Sequence, residues 1–239
     1  MKPRNKFLMT LGSVLFYAGV ILGMLLFAGL SWAGLESSFY FGYNGGAQTT
    51  LHLTCPRILT THETGNVVAT ITNRTKSTVS PLYETQISGL LIRNLRTQQP
   101  IAPGQTVRLS WEVSGADVDY GSLVMAEVYQ NPAYQIPTGM ATCGTLYLNW
   151  PGLSGEGIFL AALAGSLLGL VAGFLLWFLS ARPLVERSIE QFRGMTFVGV
   201  VVLFGLAFAS FGHWGLGIFA LVLCLLTLLV LLGRRLANS

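Results

Sequence analysis

Cys55 and Cys143 are the residues of this 239-residue chain best placed for covalent chemistry. They stand 88 positions apart in a polar stretch, near the first and last segments that read as strands. A disulfide between them closes a long loop, which stabilises a fold by roughly 4–5 kcal/mol in the loop-entropy model. An oxidising compartment favours the bridge over two separate thiols. The third cysteine, Cys224, sits in the middle of an apolar run and reads as a small packing residue. His52, His62 and His213 do not form a site: His52 and His62 lie in the polar stretch and His213 in a short Gly-His-Trp-Gly turn. A membrane haem held between helices usually takes histidines inside the spans. The chain has no HExxH, CxxC or Gly-x-Ser-x-Gly, so zinc-protease, thiol-redox and serine-hydrolase readings lack their residues. Catalytic residues, cofactors and metals are therefore expected to be none. Lone hydroxyls such as Tyr17, Ser166, Ser210 and Thr227 are expected to bond to their own helix backbone.

The elements that carry these residues follow from charge. Only 10% of residues are charged and 52% are hydrophobic, against about 25% charged in soluble domains. Apolar stretches cover residues 7–30, 158–179 and 195–232, and none contains Asp, Glu, Lys or Arg. A charge at the centre of a membrane helix costs roughly 2.5–3.5 kcal/mol on insertion scales, so ion pumps and buried acid–base pairs are excluded. The first two stretches are long enough to cross a hydrocarbon core of about 30 Å. The third suits two antiparallel helices, 196–211 and 216–232, broken at Gly212-His213-Trp214-Gly215. Four transmembrane helices are expected.

Basic residues set the orientation. Residues 35–156 hold six Lys and Arg against eight acids, and the other eight basic residues flank the spans. These are Lys2, Arg4 and Lys6; Arg182, Arg187 and Arg193; and Arg234 with Arg235. The positive-inside rule puts all three clusters in the cytoplasm. The expected localisation is the plasma membrane, multi-pass, with both termini cytoplasmic and residues 35–156 outside. Trp32, Trp150, Trp177 and Trp214 fall near span ends and read as interface anchors. The first span is longer than a signal-peptide core, so it is expected to stay uncleaved despite Ser31-Trp32-Ala33. The basic excess flanks membrane spans, so nucleic acid is not an expected partner.

Between the first two spans the chain reads as short strands. Val107 to Val113 alternates apolar and polar residues after the turn Pro103-Gly104-Gln105-Thr106. Further candidates are 51–55, 66–73, 82–88, 90–95, 122–130 and 141–150, which points to an antiparallel sandwich. Over roughly residues 48–150 this pattern resembles an immunoglobulin-like or fibronectin-like sandwich in the broad architectural sense. Trp111 lies 56 positions after Cys55, not shortly after it as in true immunoglobulin domains, so no functional residues carry over. Claudins and tetraspanins also combine four spans with an outer domain. The chain lacks a Trp-x-x-Leu-Trp segment, and its second outer connection is a four-residue turn.

The expected fold is a membrane α-helical bundle with an inserted all-β, immunoglobulin-like sandwich. Its parts are residues 1–34 (cytoplasmic end and span one), 35–156 (β-domain), 157–180 (span two), 181–194 (cytoplasmic loop) and 195–239 (helical hairpin and tail). Gly157, Ala161, Gly165, Gly169 and Gly173 recur every four residues along span two, and Gly19 and Gly23 share that spacing in span one. Such stripes let helix backbones approach closely, either within this bundle or against another subunit. Three weaker features remain open. Residues 181–194 are either an amphipathic surface helix or an extension of span two. Asn73-Arg74-Thr75 is a glycosylation sequon if the chain passes through a eukaryotic secretory route. Phe39-Tyr40-Phe41-Gly42-Tyr43 suits interface packing. These features point to a non-catalytic accessory or structural subunit of a larger membrane complex, with a respiratory or photosynthetic electron-transfer assembly as one host. Its partners are then the lipid bilayer and other membrane subunits, with any small-molecule ligand unknown. The alternative is a stand-alone surface receptor or adhesion protein.

Overall fold

Apolar runs free of proline stay helical until something stops them, and the first run is not stopped where its hydrophobicity fades. In the computed structural model, which describes residues 6–42, 51–132, 138–182 and 186–237, helix α1 spans Lys6–Tyr40. It passes residue 30 and ends at Gly42, whose φ of 68° is left-handed. Gly42 N–H closes onto the Phe39 carbonyl at 3.2 Å, an ending that glycine adopts without steric cost. Helix α2 is Gly155–Ser180, α3 is Glu186–Ser210 and α4 is Trp214–Ala237. Ser154 caps α2, its Oγ accepting from Gly157 N–H at 3.1 Å. Between α3 and α4, His213 N–H bonds the Phe208 carbonyl and Gly212 N–H the Ala209 carbonyl, with Gly212 at φ 79°. That is a Schellman ending, and it makes the tight turn read from Gly-His-Trp-Gly.

Three helices, Lys6–Tyr40, Gly155–Ser180 and Ser188–Ser210, are long and apolar enough to cross a membrane, while the apolar part of α4, Trp214–Val230, is shorter. The segment 181–194 is neither a separate surface helix nor an extension of α2. Its described residues from Glu186 onward form the first turns of α3. Lys2, Arg4, Tyr43, Pro183 and Val185 lie outside the described residues, as do the side chains of Arg187, Arg234 and Arg235.

The chain forms two compact units, Met1–Ser31 with Phe159–Ser239, and Trp32–Ile158. In the helical unit α1 touches each of the other helices. A methyl group placed on Gly19 would lie 2.7 Å from Leu170 N and 2.8 Å from the Ser166 carbonyl, so α1 and α2 meet backbone to backbone. Gly23 and Phe27 of α1 face Val202 and Gly205 of α3, and Ser31 faces Gly217 of α4. Phe16, Val20 and Phe27 are buried along α1.

The second unit holds two sheets. Strands β1 (Leu51–Thr54), β3 (Gly65–Thr72) and β6 (Thr106–Val113) form a three-stranded sheet in the order β1-β3-β6. Strands β2 (Ile58–Thr60), β8 (Gly139–Leu148), β7 (Leu123–Gln130), β4 (Leu82–Ile87) and β5 (Arg93–Gln98) form a five-stranded sheet in the order β2-β8-β7-β4-β5. The alternation in β6 is fully realised: Val107, Leu109, Trp111 and Val113 are buried and their neighbours exposed. They share one core with Val67, Ala69 and Ile71 of β3 and with Tyr83, Ile87, Val124, Ala126 and Val128 of the larger sheet.

Four details depart from the sequence reading. The larger sheet is mixed, because β2 pairs parallel to β8; at three residues β2 is too short to show a period. Strand β5 begins at Arg93, and Leu90 and Leu91 lie in the hairpin bend before it. Cys55 stands one residue past β1 rather than within it. The unit is also not purely β, since it includes a short 3-10 helix, Gly115–Asp117, and the last turns of α1 from Trp32.

Candidate functional site

The last turns of α1 lie across the outer face of the five-stranded sheet and are tied to it by a few polar contacts. Ala33, Leu123 and Met125 form a small buried cluster with Tyr40, Phe41 and Leu146 packed on it. Gly144 of β8 lets the Ala33 backbone approach directly, since any side chain at 144 would strike the Ala33 carbonyl. Ser37 Oγ donates to the Cys143 carbonyl at 2.9 Å, and Ser38 Oγ lies 3.2 Å from Thr142 Oγ1. Tyr40 OH donates to Asp119 Oδ2 at 3.0 Å, and its ring meets Tyr120 edge-on. Ser31, Ser37 and Ser38 break the hydrophobic pattern without breaking the helix, and the latter two anchor it here.

Cys143, whose carbonyl Ser37 holds, is disulfide-bonded to Cys55 with Cα atoms 5.8 Å apart. The bridge joins the end of β1 in one sheet to β8 in the other. The start of α2 is fixed by Glu63, whose Oε2 accepts from Gly155 N–H at 2.8 Å and from Thr60 N–H at 3.3 Å. A carboxylate at a helix N-terminus meets unpaired N–H groups and the positive end of the helix dipole.

Glu127 is the unusual group. It lies on the outer face of β7, between Thr142 of β8 and Gln86 of β4 in register. It is 7% exposed, and burial pushes its carboxyl up to about 7. Across the same face, Glu84 of β4 pairs with Arg96 at 3.2 Å. Inside the core, burial pushes the Tyr83 hydroxyl up to about 12. Among the described residues no group of three or more His, Cys, Asp or Glu could hold a metal ion. His52, His62 and His213 are all exposed, and they are not brought together. Among the described residues these contacts hold elements in place.

The glycine stripe splits in use. Gly169 and Gly173 press on α1 at Gly19 and Phe16, and Gly165 faces Leu22. Gly23 meets Ser166 Oγ and Val202. Ala161 is exposed, and a methyl group at Gly157 would meet only its own cap, Ser154. Ser166 corrects an expectation, because its Oγ donates to the Gly19 carbonyl of α1 at 2.9 Å rather than to its own helix. Thr227 does bond within its helix, to Leu223. Cys224 is buried with Sγ 3.4 Å from Met24 Sδ.

Among the tryptophans, Trp32 and Trp150 are more than half exposed and Trp214 is half-buried. Trp177 departs from the anchor reading. It is fully buried, lies over Gly12 and stacks near Phe192, so it packs the bundle and cannot reach an interface. Asn73 likewise departs from the sequon reading. It is 1% exposed, and its Nδ2 donates to the Ser77 and Ile101 carbonyls at 2.9 and 2.8 Å, which fixes a loop and leaves no room for a glycan on the amide in this fold.

No protein-family model matches the chain, and no curated protein matches it. Solved structures of a β-glucosidase from Listeria innocua align at 10–11% identity. The complexes with glucose and with gluconolactone give TM-scores of 0.29 and 0.30, each over 44% of this chain. The chain spans 17% of that enzyme's length.

Proposed function

We propose that the protein is a non-catalytic integral membrane subunit that presents an immunoglobulin-like sandwich outside the cytoplasm for contact with other members of a membrane complex. The carrying observation is the surface of α2. Only 22% of its apolar window is buried, against 39% for α1 and for α3. Leu160, Leu168, Val171, Leu175 and Leu179 stand exposed along it. Beside them Gly19, Gly165 and Gly169 floor an apolar groove between α1 and α2. A helix surface of ridges beside a glycine-floored groove suits a neighbouring transmembrane helix, because association in lipid depends on close packing. The Cys55–Cys143 disulfide supports an oxidising, extracytoplasmic setting for the sandwich. With the positive-inside rule this leaves both termini in the cytoplasm, at the plasma membrane.

The test is gentle detergent extraction of the native protein followed by native mass measurement. A complex heavier than the 25.8 kDa chain, weakened by Leu168→Trp, supports the proposal. Recovery only as a monomer would overturn it in favour of a stand-alone receptor or adhesion protein.

A further inference from the structure

Six large apolar or aromatic side chains stand exposed on loops at one end of the five-stranded sheet. Leu90, Leu91 and Ile92 are 101%, 87% and 45% exposed; Tyr120, Trp150 and Leu153 are 68%, 58% and 55% exposed. Strand register puts them at the same end. Ile87 at the end of β4 pairs with Ala126, which pairs with Cys143, and the 89–92 bend continues beyond that row. Leu123 at the start of β7 pairs with Leu146, and the chain turns through Tyr120 just before it. Strand β8 then ends at Leu148 and leads through Trp150 and Leu153 to α2.

This is also the end at which the chain enters and leaves the unit. Ala33 of α1 packs beside Gly144 and Leu123, and Glu63, next to β2, caps α2 at Gly155. Both helices are long and apolar enough to cross a membrane. The loop bases are tied down. Ser88 Oγ donates to the Asp117 carbonyl and accepts from Met125 N–H, both at 2.8 Å. Arg93 holds Asp117 at 2.9 Å and the Glu112 carbonyl at 2.8 Å. The Leu-Leu-Ile tip is therefore held out by a braced frame, with Leu90 and Leu91 almost fully exposed.

We infer that this end of the sandwich rests on the bilayer, with Leu90, Leu91 and Ile92 dipping into the headgroup–acyl boundary and Tyr120 and Trp150 beside them at headgroup level. The occupant is the membrane that the chain's own helices cross, so the inference rests on the membrane-spanning part of the proposed function. Exposed aliphatic side chains gain by leaving water, and aromatic rings with a polar atom favour the interface. Peripheral apolar elements sit at depths of about 5–10 Å. Such a seat fixes how the sandwich is presented to a partner.

The test uses the full chain with Cys224→Ala, its disulfide intact, in phosphatidylcholine vesicles with or without spin-labelled acyl chains. An environment-sensitive fluorophore is placed at Leu91→Cys, at Gln99→Cys beyond the other end of β5 (roughly 20 Å away), and at Leu168→Cys in α2. Leu91 and Gln99 are exposed, so labelling them leaves the fold in place. The expected result is blue-shifted emission and quenching by spin label at 91 and 168, and neither at 99. Quenching at 168 with water-like emission at 91 overturns the inference and spares the membrane reading. Blue-shifted emission at 91 that lipid spin labels do not quench also overturns it, because a second copy or another protein then covers the tip. Absence of quenching at 168 overturns the membrane reading and this inference with it.

Discussion

The two units solve the packing problem by opposite means. In the sandwich, large side chains fill the space between sheets: Trp111, Tyr83, Ile71 and Ile87 meet in one core, and backbones stay apart. In the helical unit the side chain is removed at the tightest points, so that Gly19 and Gly169 bring two main chains together. A lipid setting for the helical unit, as proposed above, accounts for the difference. Burying apolar surface drives assembly only where the alternative is exposure to water. Lipid offers a leucine the same company as a protein core, and close van der Waals contact becomes the remaining source of association. The polar groups follow the same division: Ser166 and Gly19 share one bond across helices, whereas the sandwich ties its loops with many.

That contrast breaks first at the disulfide. Cys55→Ser with Cys143→Ser should destabilise the sandwich by about 4–5 kcal/mol in the loop-entropy model, read as a lower denaturation midpoint by near-ultraviolet circular dichroism. The helical signal should persist after the sandwich has melted. A single transition shared by both would show that the units do not fold independently.

Glu127 tests the sandwich from the side of charge. Its carboxyl titrates at about 7 in the fold, against 4.5 for an ordinary one, so the folded state keeps its proton longer than the unfolded chain does. Stability should therefore fall as pH rises from about 4.5 to about 7 and then level off. Glu127→Gln should remove the slope, leaving stability unchanged near pH 4 and raising it by roughly 3 kcal/mol near pH 8. Parallel pH titrations of the two proteins would read this, and equal slopes would assign the carboxyl to water.

Smaller changes sharpen the helical side. Gly169→Ala adds one methyl group 2.8 Å from the Gly19 Cα, and should cost about 1–3 kcal/mol by overpacking, measured by unfolding in detergent. Adding a methyl group to a helix usually stabilises it, so a neutral result would mean that α1 and α2 are looser than described. Ser166→Ala removes one interhelical hydrogen bond and should cost only about 0.6 kcal/mol.

What could be read from sequence followed the strength of each period. Strand β6 alternates without interruption and was legible to within one residue, and uncharged runs located the helices because a missing charge is a strong signal. Helix boundaries were less legible. The apolar run ends near residue 30, yet Ser31 through Tyr40 contain no proline and Gly34 alone does not stop the helix, so α1 continues until Gly42. That extension carries Ser37, Ser38 and Tyr40 to the sheet, and no local signal marks them as its contacts. Glu127 had no sequence signature, because β7 is buried on both faces only through α1 covering the second. Leu90-Leu91-Ile92 read as a strand because three apolar residues before Arg93 carry β propensity, whereas the bend at Gly89, with φ of 143°, turns them outward.

The bond between Cys55 and Cys143 also has a mechanical meaning. Tension passing along the chain from α1 to α2 reaches Cys55, crosses to Cys143 and continues down β8, so the covalent path bypasses residues 56–142. The strands between are electrically speaking in parallel with a short circuit: a pull on the helices loads two short connecting segments and leaves most of the sandwich slack. A protease that cuts once inside the bypassed loop likewise releases nothing, since both fragments stay joined through sulfur and each remains attached to its own helix.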